Sequence, residues 1–203
     1  MREHATEERS GECPDVEELL GWSLPQQAEE IPSVEWLMER LRSSKPDWRL
    51  LESLVHFEPA SYARRVLART DACELLLVCW LPGQVSHVHD HGGSSGVSWL
   101  LRGRLRETRY AWGGDRLLQD GAVDADEGDF LLEQSETIHR IHNASRHGAV
   151  SLHVYAPPMV GMTRYDTSVT PGLDARLELR GVLRPPRPPA DAAAARKRRP
   201  RAM

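Results

Sequence analysis

The sequence lacks the features that would place the chain in a membrane, in a secretory pathway or on nucleic acid. No apolar run approaches the ~20 residues that span a bilayer. The start of the chain is polar and acidic, whereas a secretory signal needs an apolar stretch of about 7–15 residues. Because the formal net charge is -4, no basic field of the whole chain points to nucleic acid. We therefore expect a cytoplasmic protein whose partners are neither membranes nor nucleic acids.

Cysteine is also scarce, and its positions exclude two kinds of cross-linked domain. The three cysteines are Cys13, Cys73 and Cys79, and no two of them form a C-x-x-C pair. This pattern indicates neither a disulfide framework nor a zinc knuckle. Cys79 lies in the apolar run LLLVCWL and is interpreted as a small buried hydrophobic residue.

Length and composition predict one main domain with two disordered ends. A helical first part is followed by short apolar runs separated by Gly, Pro and Asp, which is typical of an all-β sandwich or barrel. We expect a single domain over 15–183, with helices in 15–58 and a β-barrel in 60–170. The termini 1–14 and 184–203 are expected to be disordered, and the basic end of the latter is interpreted as a solvated tail rather than a contact for an acidic partner.

Local signals predict where some of these elements begin and turn. Asp15 and Ser33 each precede a helical pattern and are expected to cap it, and a third helix is expected after Pro46. The pair Gly113-Gly114 predicts the turn of a β-hairpin.

Histidine is the residue type that points to a site. Five of the nine histidines fall in two short segments, namely His87, His89, His91, His139 and His142. In VSHVHDHGG, His89 and His91 are separated by two, so on a strand their rings share one face. Asp90 then faces the other way and is expected to support the fold rather than bind a metal, and His87 is expected near the rim. With a distant third histidine, this pair predicts a metal site.

Both histidine segments share the spacing of the two signature motifs of the cupin superfamily, G-x5-H-x-H-x3-4-E-x6-G and G-x5-P-x-G-x2-H-x3-N. The matching positions are Gly83, His89, His91, Gly103, Gly128, His139 and Asn143. Three identities depart from the motifs, with Gly96 in the Glu position, Gln134 in the Pro position and Glu136 in the Gly position. The resemblance implies an all-β cupin barrel (a double-stranded β-helix, or jelly roll) with a metal held inside by His89, His91 and His139.

The missing glutamate affects the chemistry of the predicted site. Three neutral imidazoles leave a bound metal with its full 2+ charge, which favours an anionic ligand such as a thiolate and lowers the pKa of a bound thiol. The donor set alone does not separate iron from zinc, nickel or manganese.

Cupins with three His ligands and no Glu ligand include the cysteine dioxygenases, and this chain resembles them. The segments CWLPGQVSHVHDHGGSSGVSWLLRGRLRET and AVSLHVYAPP look like theirs, and the likeness covers roughly residues 50–165. It implies an enzyme that uses Fe(II) and O2 to oxidise the thiol of L-cysteine to cysteine sulfinic acid, which is beyond the reversible stage of thiol oxidation. We expect the chain to be a monomer. Animal members carry, in place of Gly96, a Cys that crosslinks to the catalytic Tyr, so no such crosslink is expected here.

A row of polar residues near the end of the predicted barrel contains the candidate catalytic residues. Ser151, His153 and Tyr155 are spaced by two and face one side of a strand. If buried, such a row must satisfy its own hydrogen bonds. In the family the matching residues form a relay whose Tyr lies beside the iron. A nucleophilic Ser–His site is disfavoured, because both residues share a strand and no G-x-S-x-G elbow is present.

The segment SYARRVL predicts the substrate-binding group. Tyr62 and Arg64 share one face and Arg65 lies opposite. A guanidinium binds a carboxylate with two parallel hydrogen bonds, and the family's Y-x-R motif implies that Arg64, with Tyr62, binds the carboxylate of cysteine. Related 3-mercaptopropionate dioxygenases typically carry Gln at this position.

Three alternatives stay open at this point. Besides a cysteine dioxygenase, they are a dioxygenase of another small thiol such as 3-mercaptopropionate, another metal-dependent cupin enzyme, and a non-catalytic metal-binding cupin. A cupin fold alone does not decide between them, because function depends on the residues of the site.

Overall fold

The computed structural model describes residues 15–165 and the two strand residues 182–183. The termini that we expect to be disordered, 1–14 and 184–203, lie outside these residues. In the described part of the chain, no helix is long and apolar enough to cross a membrane.

Three short helices precede the strands. They are α1 (Val16–Leu20), α2 (Val34–Ser43) and α3 (Trp48–Leu54), and one 3-10 turn lies at Ala28–Glu30. Each helix begins after a side chain that accepts a hydrogen bond from a backbone N–H of the first turn, namely Asp15, Ser33 and Asp47. The predicted caps at Asp15 and Ser33 are thus confirmed.

The other regular elements of the described chain are antiparallel strands. They are β1 (Ala63–Arg69), β2 (Glu74–Trp80), β3 (Val88–His89), β4 (Ser95–Arg102), β5 (Arg104–Gly113), β6 (Arg116–Asp126), β7 (Phe130–Glu133), β8 (Ile138–His142), β9 (Ala149–Ala156), β10 (Arg164–Tyr165) and β11 (Val182–Leu183). One sheet has the order β1-β2-β9-β4-β7-β11 and the other β10-β3-β8-β5-β6. The predicted all-β cupin barrel with N-terminal helices is confirmed. The β5–β6 hairpin turns at Gly114-Asp115, one residue later than predicted.

The six-stranded sheet has an outer face that packs on the helices and an inner face that looks into the barrel. In β2, Leu75 and Leu77 belong to the cluster that contains Leu37 of α2. The alternate residue Leu76 belongs to a second cluster with Ile141 of the opposite sheet. This division follows from the period of two in a strand. The helices therefore cover the outside of the barrel, and strand side chains line its interior.

Cys73 and Cys79 are free and buried, with Cys79 in the apolar cluster between sheet and helices. Burial raises the pKa of Cys73 to about 12, so it stays a thiol at neutral pH. The interpretation of Cys79 as a buried hydrophobic residue is confirmed.

Asp90 joins the end of β3 to β10. Its Oδ1 accepts from the backbone N–H of Gly92 at 2.9 Å and of Thr163 at 3.0 Å, and its Oδ2 accepts from the Tyr165 hydroxyl at 2.6 Å. Partial burial favours the neutral acid, but these hydrogen bonds outweigh it and lower the pKa of Asp90 to about 2. The carboxylate faces away from the histidines, as predicted.

We expect Asp90→Asn to destabilise the fold by about 1 kcal/mol at neutral pH, because the Tyr165 hydroxyl loses its anionic acceptor and solvent screens part of the effect. A group whose pKa is lowered in the folded state stabilises the fold above its unfolded pKa, and this stabilisation is lost as the pH falls toward about 2. The difference in unfolding free energy between wild type and Asp90→Asn, measured in urea, should therefore shrink between pH 5 and pH 3. Asp120→Asn, at an exposed position, is the matched control; a constant difference at every pH would contradict the prediction.

Candidate metal centre

Three histidines meet inside the barrel. His89 ends β3, His139 lies in β8, and His91 follows β3 by two residues. One ring nitrogen of each lies within 4.8 Å of the others. His91 is 0% and His139 1% exposed. The structure thus brings together the three histidines that the sequence singles out as metal ligands.

The pair His89 and His91 does not share one regular strand, which corrects the strand-based expectation. The strand β3 ends at His89. Beyond it, the backbone N–H of Asp90 donates to the Thr163 carbonyl at 3.1 Å, which holds the chain extended. The rings of His89 and His91 therefore still converge, with their centroids 5.3 Å apart.

His139 is oriented by a buried carboxylate from β5. Its Nδ1 lies 2.8 Å from Oε1 of Glu107, and Oε2 of Glu107 lies 3.1 Å from a guanidinium nitrogen of Arg109. Burial by itself lowers the pKa of His139, but the Glu107 hydrogen bond and the nearby carboxylates outweigh it and raise this pKa. Because a carboxylate only accepts, Nδ1 carries the proton and Nε2 is left to bind a metal.

His89 is oriented in the same way by a backbone carbonyl. Its Nδ1 lies 2.9 Å from the carbonyl oxygen of His87, which can only accept, so the His89 proton is on Nδ1 and Nε2 is again free to bind a metal. The His87 side chain itself is exposed and outside the cluster, in agreement with the expected rim position.

His91 is the member whose environment is incomplete without a further group. Among the described residues, neither ring nitrogen of His91 has a hydrogen-bond partner, although Nε2 lies 3.1 Å from Oε2 of Glu133. A buried polar atom without a partner costs about 1–3 kcal/mol, and coordination of a metal would remove this cost for the nitrogen that binds it.

The protonation states also fit a metal. Burial lowers the pKa of His89 to about 3 and that of His91 to about 4, and the neighbouring His139 adds to both shifts. Both rings are therefore neutral at pH 7, which is the form in which imidazole binds a metal. The donor set suits a divalent metal of the first transition row.

Ser151, His153 and Tyr155 line the inner face of β9 beside the histidines. The hydroxyl of Ser151 lies 2.8 Å from Nε2 of His153, and Nδ1 of His153 lies 3.2 Å from the Tyr155 hydroxyl oxygen. The Tyr155 ring stacks on His91 with a centroid distance of 5.1 Å. The structure thus brings the three predicted residues together, next to the metal cluster. Burial lowers the pKa of His153 to about 4 and raises the pKa of Tyr155 well above its ordinary value.

Arg64 reaches the same region from β1 and is held there by a buried acid. Its guanidinium lies 3.4 Å from Oε1 of Glu74, which is 1% exposed. Burial raises the pKa of Tyr155, and the positive charge of Arg64 partly opposes this rise. Tyr62 stacks on Trp80 at 4.3 Å, and burial raises its pKa. Within the part of the chain that the structure describes, Arg64 has one side-chain contact, the 3.4 Å contact with Glu74.

Comparison with known families adds the decisive observation, since the family model for cysteine dioxygenase type I matches residues 15–168. The chain belongs to the cysteine dioxygenase type I family. This match confirms the predicted family and the prediction of a cysteine dioxygenase enzyme. Family membership and the three-histidine cluster together imply a metal cofactor.

Individual members of the cysteine dioxygenase family are similar over most of the domain. Cysteine dioxygenase type 1 of Danio rerio is 32% identical over 146 residues, which are 67% of this chain and 70% of that protein. The Homo sapiens protein of the same name is 28% identical over 134 residues, which are 63% of this chain and 66% of that protein.

Two solved structures align over about half of the chain. A Thermus thermophilus protein aligns with a TM-score of 0.45 and 25% identity over 53% of this chain and 94% of that chain. A Klebsiella pneumoniae protein with a double-stranded β-helix domain aligns with a TM-score of 0.46 and 18% identity over 57% of this chain and 94% of that chain.

Two residues of this site were not predicted from the sequence, namely Glu107, described above, and Glu133. Glu133 of β7 is 0% exposed and accepts hydrogen bonds from the Tyr155 hydroxyl at 2.6 Å and from Ser98 at 2.5 Å. Burial raises the pKa of Glu133, but the neighbouring imidazoles and the Ser98 hydrogen bond outweigh it and lower this pKa. The sequence offers one indication of Glu133, namely a charged residue at the end of the otherwise apolar strand FLLE.

We expect Glu107→Gln to reduce metal affinity by about 10–100-fold, the usual effect of removing a carboxylate that orients a ligating histidine. Metal binding is measured by competition with a chelator. The matched control is Glu127→Gln, at an exposed position, which should bind metal like the wild type. Equal affinity in both variants would show that Glu107 does not support the metal site.

Proposed function

We propose that this protein oxidises the thiol of L-cysteine with O2 to cysteine sulfinic acid, at a mononuclear Fe(II) held by His89, His91 and His139. The observation that carries the proposal is the cluster of three converging imidazoles, without a carboxylate among the convergent ligands, in a chain of the cysteine dioxygenase type I family. The similar proteins of Danio rerio and Homo sapiens carry the name of this activity.

The residues present fit such a metal. His89 and His139 each have the Nδ1 proton engaged, so both direct Nε2 toward a common point, and the ring nitrogens of His91 have no other partner within the described chain. When bound, Fe(II) would bring the thiolate and O2 together and lower the pKa of the thiol. The electrons that reduce O2 come from the thiol sulfur, which is oxidised to the sulfinic acid. Both oxygen atoms of O2 end on the sulfur, so the reaction needs no other reductant.

Arg64 is proposed to bind the carboxylate of cysteine, with Tyr62 beside it. Arg64 is in register with Val78 of β2, whose side chain belongs to the cluster inside the barrel, so Arg64 lies on the inner phase of β1. A carboxylate that enters this region gains charge-assisted hydrogen bonds, which exceed neutral ones in strength. Glu74 orients Arg64 from the other side.

Tyr155 is proposed as the catalytic residue nearest the reactants, with His153 and Ser151 behind it. The phenol lies against the ring of His91, so it forms part of the wall of the space in which the substrate would bind. Because its pKa is raised by burial and by Glu133, Tyr155 remains a neutral phenol at neutral pH.

The test is O2 uptake by protein loaded anaerobically with Fe(II) and then supplied with L-cysteine, with the product identified by mass spectrometry. We expect O2 to be consumed and the product to gain the mass of two oxygen atoms. Parallel assays with 3-mercaptopropionate decide whether cysteine is the preferred thiol. Bound iron without O2 uptake for either thiol would favour the non-catalytic metal-binding alternative. The cytoplasmic location and the monomeric state stay predictions.

A further inference from the structure

The Tyr155 phenol is held by a residue two strands away. Tyr155 lies on β9 and Glu133 on β7, with β4 between them. Both residues are in register with Gly96 of β4. Neighbouring strands are spaced by about 4.8 Å, so the Tyr155 ring must cross over β4 to bring its hydroxyl to 2.6 Å from Glu133.

Gly96 makes this crossing possible. A Cβ atom at position 96 would collide with the Tyr155 ring atoms Cδ1 and Cε1. The backbone of Gly96 does not adopt a left-handed conformation. Glycine is therefore needed here to leave room for the Tyr155 ring, and not for its dihedral angles. The position at which the cupin motif carries a glutamate is therefore occupied by the Tyr155 ring, and a carboxylate is supplied from the next strand by Glu133.

The hydrogen bonds around Glu133 have a defined direction. A carboxylate only accepts, so Ser98 donates its single hydroxyl proton to Oε1 of Glu133 at 2.5 Å. The contact of 2.6 Å between Ser98 Oγ and His153 Nδ1 then requires the proton on Nδ1. Nε2 of His153 is consequently the acceptor for the Ser151 hydroxyl, and Ser151 accepts in turn from the indole N–H of Trp80 at 3.2 Å.

The polar row of β9 therefore does not end at Tyr155. It runs from Trp80 through Ser151, His153 and Ser98 to Glu133, and the Tyr155 hydroxyl donates to the same carboxylate from the other side. The direct contact of His153 with the Tyr155 hydroxyl, at 3.2 Å, is longer than the 2.6 Å contact of that hydroxyl with Glu133. Since the phenol proton is directed to Glu133, the Tyr155 oxygen engages other groups through its lone pairs.

We propose that Glu133, supported by Ser98, is the positioning residue that holds the Tyr155 phenol across Gly96 and directs its proton away from the reactants. This role builds on the proposed function, in which Tyr155 is the catalytic residue. Glu133 acts through Tyr155 and not as a fourth metal ligand, because its two oxygens accept hydrogen bonds from Ser98 and from Tyr155.

Two single-residue changes on different strands test the proposal without removing Tyr155. Glu133→Gln keeps the shape of the side chain but leaves one acceptor oxygen for two donors. Ser98→Ala removes the link to His153 without changing a charge, and it keeps the test valid if the first variant does not fold. Asp129→Asn is the control: Asp129 is a buried carboxylate, 5% exposed, that accepts from the backbone N–H of Asp126 away from the site.

The first measurement reports the position of Tyr155 independently of activity. The chain has four tyrosines, so full-length protein labelled with 3-fluorotyrosine and loaded with Zn(II) gives four ¹⁹F resonances, and Tyr155→Phe assigns the one of interest. We expect this resonance to shift in Glu133→Gln and Ser98→Ala while the other three stay in place, and to stay unchanged in Asp129→Asn. An unshifted Tyr155 resonance in Glu133→Gln would overturn the proposal even if the wild type oxidises cysteine.

The second measurement separates positioning from metal binding in the Fe(II)-loaded enzyme. We expect kcat to fall about 100-fold in Glu133→Gln, as for a displacement of a catalytic group by about 1 Å, with KM for L-cysteine and metal content close to wild type. Loss of the metal from Glu133→Gln at concentrations that saturate the wild type would identify Glu133 as a ligand and overturn the positioning role.

Discussion

Replacing His139 with Ala is expected to abolish metal binding and cysteine-dependent O2 uptake. His139 contributes one of three converging nitrogens, so its loss should reduce metal affinity beyond the roughly 10–100-fold that follows from removing an outer partner such as Glu107. Metal content after gel filtration and O2 uptake with L-cysteine measure the two effects.

The matched control is His142→Ala on the same strand. His142 is paired with Arg106 of β5 and lies outside the cluster, so this variant should retain both metal and activity. A His139→Ala protein that keeps a full equivalent of metal would contradict the assignment of the site. If the wild-type protein binds metal but consumes no O2 with L-cysteine, the metal site is correct but the proposed reaction is wrong.

Replacing Arg64 with Ala is expected to raise KM for L-cysteine by about 10–100-fold, with a smaller change in kcat. This range corresponds to losing charge-assisted hydrogen bonds to the substrate carboxylate, each about 1.5–3 kcal/mol. An effect mainly on KM indicates an interaction made equally in the bound state and the transition state. Arg64→Lys should restore little, because an ammonium group does not offer the paired donors of guanidinium.

Two further variants and one further thiol make the Arg64 result specific. The variant Arg64→Ala leaves the buried carboxylate of Glu74 with weaker neutralisation, so the double variant Arg64→Ala/Glu74→Gln tests whether a loss of activity comes from that charge. Arg65→Ala, on the opposite face of β1, is the control. Cysteamine has no carboxylate, and its oxidation should be insensitive to Arg64→Ala. An unchanged KM for L-cysteine would contradict the assignment of the carboxylate site.

The sequence predicted those parts of the fold and site that depend on local spacing. The helix caps at Asp15 and Ser33 and the alternation along β9 follow from hydrogen bonds and side-chain directions within a few residues. The histidine spacing brought His89 and His91 together even though β3 proved shorter than expected. The placement of His139 followed from the motif resemblance, because local periodicity says nothing of a residue that is distant in the chain.

Only the tertiary structure revealed the acids that surround the site. Glu107 and Glu133 lie 32 residues from His139 and 22 residues from Tyr155, the side chains they contact. In the sequence, a glutamate in an alternating strand has the same appearance whether it faces solvent or a buried histidine, and Glu107 lies between Arg106 and Thr108 in a polar run. Glutamate is rarely buried without a partner. The partners of Glu107 and Glu133 lie on other strands, so they become visible only when the pairing of the strands is known.

The sequence by itself therefore determined the family, the barrel and the three converging histidines, because the motifs that specify them are short and keep fixed intervals. The tertiary structure decided which carboxylate orients His139, which residue accepts the hydrogen bond of the Tyr155 hydroxyl and why position 96 is a glycine. These features depend on the order of β9, β4 and β7 in one sheet, and the lateral order of strands is set by packing of the whole barrel rather than by local sequence.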